Sequence, residues 1–205
     1  MFDLNQDEFD KLSDQHQLFA NSLGESGVKI NLNSYNLEKL VVEDVSLTDS
    51  FITESIFQDN FFNNVEIFDA ALCGCKFENV IFERVNFVKT DLSFCFFKDC
   101  KFINSKLKRC ETYRTVFEDV QFRSCDLYDI FSYAKLKNVV FSNMDLEKIN
   151  LYETVVHDIK LINVRNLNIK STILSLNIGD FENENILMGE DAIEYFQKIV
   201  YKSKL

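Results

Sequence analysis

Phe77, Phe82, Phe87, Leu92, Phe97 and Phe102 put a large apolar side chain on every fifth residue. No regular element has that period, since a helix returns to the same face near 3.6 residues and a strand at 2. The series runs from Leu32 to Leu127 with one polar member, Thr112. It then loses one residue and resumes at Phe131, Leu136, Phe141, Leu146, Leu151, Val156 and Leu161. Two positions before each member stands a smaller residue, as in Val65, Ala70, Cys75, Val80, Val85, Thr90, Cys95, Cys100 and Ser105. Every five residues thus supply one large and one small side chain that call for burial.

Every fourth member of the large series falls into a column. Phe57, Phe77, Phe97 and Phe117 form one column; Phe62, Phe82, Phe102 and Phe122 form a second, continued by Phe141 past the deletion. The other two are mostly aliphatic: Leu47, Ile67, Phe87, Leu107 and Leu127, then Ile52, Leu72, Leu92, Thr112 and Phe131. Four fives repeated in this way predict a square coil, with one five-residue stretch per side and like residues stacked up the interior. Backbone pairing between coils sets a rise of about 4.8 Å per turn, giving about six to seven turns and a rod roughly 30 Å long. The missing residue predicts a coil one residue short between Leu127 and Phe131. Pro is absent and Gly numbers only 5, so the corners lack the usual turn residues or repeat one corner many times.

The repeats resemble the pentapeptide-repeat family, whose pattern is A(D/N)LXX. "TDLSF" (90–94) and "CDLYD" (125–129) match closely; "VNFVK" (85–89), "CKFIN" (100–104) and "MDLEK" (144–148) match with Phe or a different small residue. The resemblance covers roughly residues 30 to 165 and implies an all-β fold, a right-handed quadrilateral β-helix. The charged position before the large residue is often missing, with Phe61, Ile81, Phe96 and Val116 in its place.

A solenoid exposes an apolar cross-section at each end and needs caps. Residues 6 to 23 predict a helix with Phe9, Leu12, His16, Phe19 and Leu23 on one face. Gly24 is expected to stop it and Gly27 to ease the chain into the first coil. The stretch "HQLFANSLGESGVKINL" is similar to a leader that precedes many bacterial pentapeptide arrays. After Leu161 the period fades, and 167–178 predicts a last irregular coil. "GEDAIEYFQKIVYKSKL" predicts a helix, capped by Asp191 with Glu194, whose stripe of Ile193, Phe196 and Val200 either caps the coil or pairs with a second copy. The quinolone-resistance members of the family form dimers through such a helix, so the resemblance implies a homodimer as one outcome. The expected organisation is a helical cap over 1–28, the β-helix over 29–165, and the irregular coil with its helix over 166–205.

The net charge of −11 disfavours direct nucleic-acid binding, because phosphate contacts need a basic surface. No apolar run reaches the ~18 residues of a membrane helix. The N-terminus, "MFDLNQDEFD", is acidic and lacks the apolar segment of a signal peptide. Six cysteines then read as reduced thiols in a cytoplasmic protein. His16 reads as a packed cap residue and His157 as a surface one. "CGC" at 73–75 is no metal site, because alternation points Cys75 in and Cys73 out. Glycine-rich phosphate loops and G-x-S-x-G are missing. No catalytic, cofactor-binding or metal residues are expected, and the chain reads as no enzyme.

Charge is banded. Ten acids against Lys39 and Lys76 occupy residues 38–83, and eight bases against Asp91, Asp99 and Glu111 occupy 84–114. Two readings of function follow. The first is a scaffold for an unidentified protein partner, using the outward apolar residues Phe51, Ile56, Phe61, Ile81, Phe96 and Val116, because stacked exposed apolar residues make a patch. The second is implied by the resemblance: the quinolone-resistance members are thought to imitate duplex DNA and occupy a type II topoisomerase (DNA gyrase). Its candidate surface is the acidic band of Glu54, Asp59, Glu78 and Glu83. The basic belt from Lys98 to Arg114 interrupts that band.

Overall fold

The computed structural model describes residues 1–202; the last three residues of the expected C-terminal helix lie outside them. The chain winds into a four-sided parallel β-solenoid of about seven turns. The first side stacks Asn31, Phe51, Ala71, Asp91 and Glu111. The second stacks Asn36, Ile56, Lys76, Phe96, Val116 and Lys135. The third stacks Val41, Phe61, Ile81, Lys101, Gln121 and Val140. The fourth stacks Ser46, Glu66, Asn86, Lys106 and Asp126.

The corners explain how a chain without Pro turns so often. The second residue after nearly every large inward side chain takes a left-handed conformation, as at Asp59 (φ 56°), Asn79 (φ 54°) and Asp99 (φ 53°). Over half of the corner residues between Ser34 and Asn163 are Asp or Asn, the non-glycine types that best tolerate this region. Their side chains also tie coil to coil: the amides of Asn64, Asn79 and Asn163 donate to Asp44 (2.7 Å), Asp59 (2.6 Å) and Asn143 (3.1 Å).

Inside, the two phenylalanine columns are ring ladders. Phe57, Phe77, Phe97 and Phe117 stack at 4.8, 4.6 and 5.0 Å between centroids. Phe62, Phe82, Phe102, Phe122 and Phe141 stack at 5.3, 4.8, 4.9 and 5.3 Å. The ladders meet at an edge, as at Phe97–Phe102 (5.5 Å, 61°), an arrangement suited to the ring quadrupoles. The small series has its own task. Cys95, Ser105, Cys110, Thr115 and Thr154 donate to the carbonyls of Leu72, Phe82, Phe87, Leu92 and Phe131, 23 residues back in each case. The position thus favours a short side chain, and at these five residues its donor meets a buried carbonyl.

The short coil is visible in the corners. Asp129 (φ 47°) and Tyr133 (φ 57°) are four residues apart where other corners are five apart, and Phe131 between them has φ 85°. Strand partners, 20 apart before this point, become 19 apart, as in Phe117↔Leu136 and Phe122↔Phe141. Phe131 leans against Phe117, Phe122 and Phe141 at 5.4, 5.5 and 5.8 Å, beside the smaller Thr112.

At the N-terminal end, α1 (Gln6–Asn21) opens with a capping box between Asn5 and Glu8. The helix is shorter than its apolar pattern implies: Leu23, expected on the packed face, lies beyond it and is 94% exposed. A strand the sequence reading missed, Phe2–Leu4, pairs with Tyr35–Leu37 and covers the open edge of the second side. On the third side the Gln6 side chain stands in for a strand, donating to the Val41 carbonyl (2.9 Å) and accepting its N–H (2.8 Å). His16 joins α1 to the first coil. The Ile30 N–H donates to Nδ1 (3.1 Å), so Nε2 carries the proton and donates to the Thr48 carbonyl (2.9 Å). Gly27, at φ 77°, passes so close to α1 that a Cβ would lie 2.2 Å from the Gln15 carbonyl oxygen.

At the other end, α2 (Ile169–Thr172) leads to Ser175–Asn177, which pairs with the coil below and then, antiparallel, with Ile186–Met188. The helix α3 (Gly189–Lys202) begins at Gly189, so Asp191 lies in its first turn and is not its cap.

Candidate interaction surface

The outward apolar residues divide among three sides. Phe51 is 45% exposed on the first side, above Asn31 and below Ala71. Ile56, Phe96 and Val116 share the second side, but Lys76 separates Ile56 from Phe96. Phe61 and Ile81 are direct neighbours on the third side, extended below by Val41, 51% exposed, and ended above by Lys101. On the flat sides the longest unbroken strip is therefore Val41–Phe61–Ile81, and the column reading missed its lowest member.

The acidic band also turns corners. Glu54 sits at the corner between the first and second sides, and Asp59 and Glu78 near the next. Glu83 lies on the third side. Glu78 approaches Lys98 (3.9 Å), Glu83 pairs with Arg84 (2.7 Å), and Asp59 accepts from Asn79. Part of its charge is therefore met by the protein itself.

The stripe on α3 is occupied within the chain. Phe196 is 2% and Val200 7% exposed, and Ile193 is partly buried against the same core. The last coil supplies apolar surface to the stripe, the arrangement of the capping alternative.

The thiols are held as donors or buried. Desolvation pushes Cys75, Cys100 and Cys110 up to about 12, pushes Cys125 to about 11, and raises Cys95 well above the ordinary thiol value. Cys73 is half-buried and raised by the same cause. Among the described residues no group of three or more His, Cys, Asp or Glu is placed to hold a metal ion. Among the described residues no helix is long and apolar enough to cross a membrane. Because thiolate is the reactive form, a disulfide reagent at about pH 8 should label at most Cys73 in the native protein. All 6 thiols should react after denaturation. Rapid native labelling of several thiols would contradict this packing.

One surface feature escaped the column reading. Phe94, Tyr113, Tyr133 and Tyr152 run up the corner between the first and second sides, with ring centroids 5.5, 6.0 and 5.4 Å apart. Phe94 stands at the corner, whereas Tyr113 and Tyr152 stand one residue before it. No single five-residue column contains them, which is why spacing did not reveal them.

Solved structures of other proteins share features with the chain. A trypsin-treated form of QnrB1, a plasmid-mediated fluoroquinolone resistance protein, is 18% identical, with 63% of this chain and 71% of that one covered at a TM-score of 0.39. HetL, a pentapeptide repeat protein involved in heterocyst differentiation regulation from the cyanobacterium Nostoc, is 14% identical over 78% of this chain and 79% of its own, at a TM-score of 0.25. The pentapeptide repeat protein Rfr23 from the cyanobacterium Cyanothece is 16% identical, with 63% and 86% covered at a TM-score of 0.22. No curated protein matches the sequence. A family model described as pentapeptide repeats matches residues 67–102 in eight copies. These residues include Phe77, Phe82, Phe97 and Phe102, rungs of the stacked ladders. With the repeat matched in sequence over residues 67–102 and the same five-residue sides seen along the coil, the chain carries an array of pentapeptide repeats.

Proposed function

We propose that this protein is a non-enzymatic cytoplasmic scaffold that binds another protein through the flat sides of its rod. The observation that carries this reading is the strip of Val41, Phe61 and Ile81, unbroken on the third side. Phe96 over Val116 on the second side adds to it. Stacked apolar side chains left partly exposed on a rigid surface favour a protein partner. The runner-up reading is a DNA mimic that occupies a type II topoisomerase. The net charge of −11 favours it. Against it, Lys98 and Arg84 answer two of the four acids, and the basic belt breaks the negative column.

The test is capture of partners from native cytosol, with a gyrase supercoiling assay beside it. Phe61→Asp and Ile81→Asp should weaken capture at least about tenfold, as expected for core positions of an interface, while circular dichroism stays unchanged. Reversal of Glu54, Asp59, Glu78 and Glu83 to Lys should leave it intact. Inhibition of supercoiling at micromolar protein, abolished by those reversals and weakened by salt, would overturn the scaffold reading in favour of the mimic.

A further inference from the structure

The loop 178–185 joins the two antiparallel strands at the C-terminal end and returns down the outside of the rod to Arg114. It is internally braced. Asp180 accepts from the N–H groups of Glu182 (2.9 Å) and Asn183 (2.7 Å), and Asn177 accepts from those of Gly179 (2.9 Å) and Asn185 (3.0 Å). Its tip presents an aromatic residue followed by an acid. The Arg114 guanidinium donates to the Phe181 carbonyl (2.9 Å) and to Glu182 (3.2 Å), and it lies 5.9 Å from the ring centres of both Phe181 and Tyr113. One arginine therefore holds an aromatic–acid pair against the foot of the tyrosine ladder. The ladder itself stays open, with Phe94 54%, Tyr113 49% and Tyr133 40% exposed.

From this arrangement we propose that the corner carrying Phe94, Tyr113, Arg114 and Tyr133 is a docking site for an acidic protein segment with an aromatic residue beside a carboxylate, and that the chain's own Phe181–Glu182 occupies its edge as a competing stand-in. The chemistry of the occupant is read from the segment already seated there. A guanidinium fork takes a carboxylate and a carbonyl together, and its face attracts an aromatic ring. Exposed tyrosines offer large, stiff contact area at low entropic cost. Charge agrees with this choice: Arg114 belongs to the belt of eight bases between 84 and 114, so an acidic segment is drawn to it. The incoming segment replaces the loop's hold on Arg114 and lays its ring on the open tyrosines.

This inference rests on the scaffold reading but uses a different surface, so the two fail separately: Phe61→Asp tests the third side, and the corner is tested with a defined probe. The probe is a fluorescently labelled synthetic peptide of residues 178–185, read by anisotropy. In the double variant Phe181→Ala/Glu182→Gln the loop's grip is weakened, and the peptide should bind at least about tenfold more tightly than to the unaltered protein. In that background Arg114→Lys, which keeps the charge but loses the fork, and Tyr113→Ser should each weaken binding about tenfold or more. A peptide with Ala in place of Phe should bind correspondingly less. No binding to the loop-weakened protein, or binding indifferent to Arg114→Lys and Tyr113→Ser, would overturn the proposal. These positions face outward, and unchanged circular dichroism checks that each variant is folded.

Discussion

Replacing Phe102 by Ala should destabilise the protein by about 3–5 kcal/mol, the range for removing a buried aromatic ring from a core that relaxes only in part. Phe102 is 0% exposed and sits at the middle of its ladder. It stacks on Phe82 and Phe122 (4.8 and 4.9 Å) and meets Phe97 and Phe87 at its edges (5.5 and 5.8 Å). Four ring contacts vanish together, and neighbours above and below cannot fill the gap without breaking their own backbone pairing. Phe102→Leu should cost much less, since the aliphatic columns already place Leu at equivalent positions. Glu83→Ala, on the outside of an adjacent coil, should cost under about 0.5 kcal/mol, because its partner Arg84 is half exposed and such pairs contribute little. The check is urea denaturation followed by circular dichroism. A solenoid coil touches only its neighbours, so the Phe102→Ala transition should also broaden as the two halves lose their coupling. Equal, small shifts for Phe102→Ala and Glu83→Ala would contradict a core made of stacked rings.

The ladders were legible because stacking in a parallel solenoid is set by chain length alone. A residue 20 positions on lies directly above, so the side-chain order of the interior is printed in the sequence. The one-residue slip between Leu127 and Phe131 was legible for the same reason. The corners carry a weaker signal, with Asp or Asn two residues after just over half of the large residues and Arg, Lys, Glu or Ser at most of the others. What periodicity could not give are the contacts that break it. Gln6 pairs with Val41 across 35 residues. Asn60 is an amide in the small inward series; it accepts from Leu40 N–H (2.8 Å) and donates to the Leu37 carbonyl (3.0 Å). Arg114 reaches Glu182 across 68 residues. The aromatic corner was hidden because its members do not share one column: Phe94 and Tyr133 stand at the corner, and Tyr113 and Tyr152 one residue before it. The outward apolar residues were legible one by one. Their division into columns follows from the same 20-residue spacing, which also places Lys76 between Ile56 and Phe96.

The N-terminal cap should loosen as pH falls from about 7.5 to about 5.5, and His16 is the cause. Its ring is fully buried and uses both nitrogens, one accepting from Ile30 N–H and one donating to Thr48. A second proton would put an N–H against an N–H and leave a charge without water. Burial accordingly lowers its pKa, with Lys29 acting in the same direction and the Thr48 hydrogen bond and Asp49 opposing. The unfolded chain, with an ordinary histidine pKa near ~6.5, then binds the proton more readily than the folded one. Stability is full above that value and declines as pH drops through it toward the lower folded value. His157 is also lowered, chiefly by burial, and adds a change of the same sign, so the measurement belongs in a His157→Gln background. Hydrogen exchange at the Ile30 amide reads the cap directly: protection should fall at pH 5.5 while the amides of Phe82 and Phe102 keep theirs. His16→Ala should lose that protection at every pH. It orphans the buried Ile30 N–H at about 1–3 kcal/mol and removes the bond to the partly buried Thr48 carbonyl, loosening α1 from the first coil. Ile30 exchange independent of pH with His16 intact would mean that the histidine does not latch the cap.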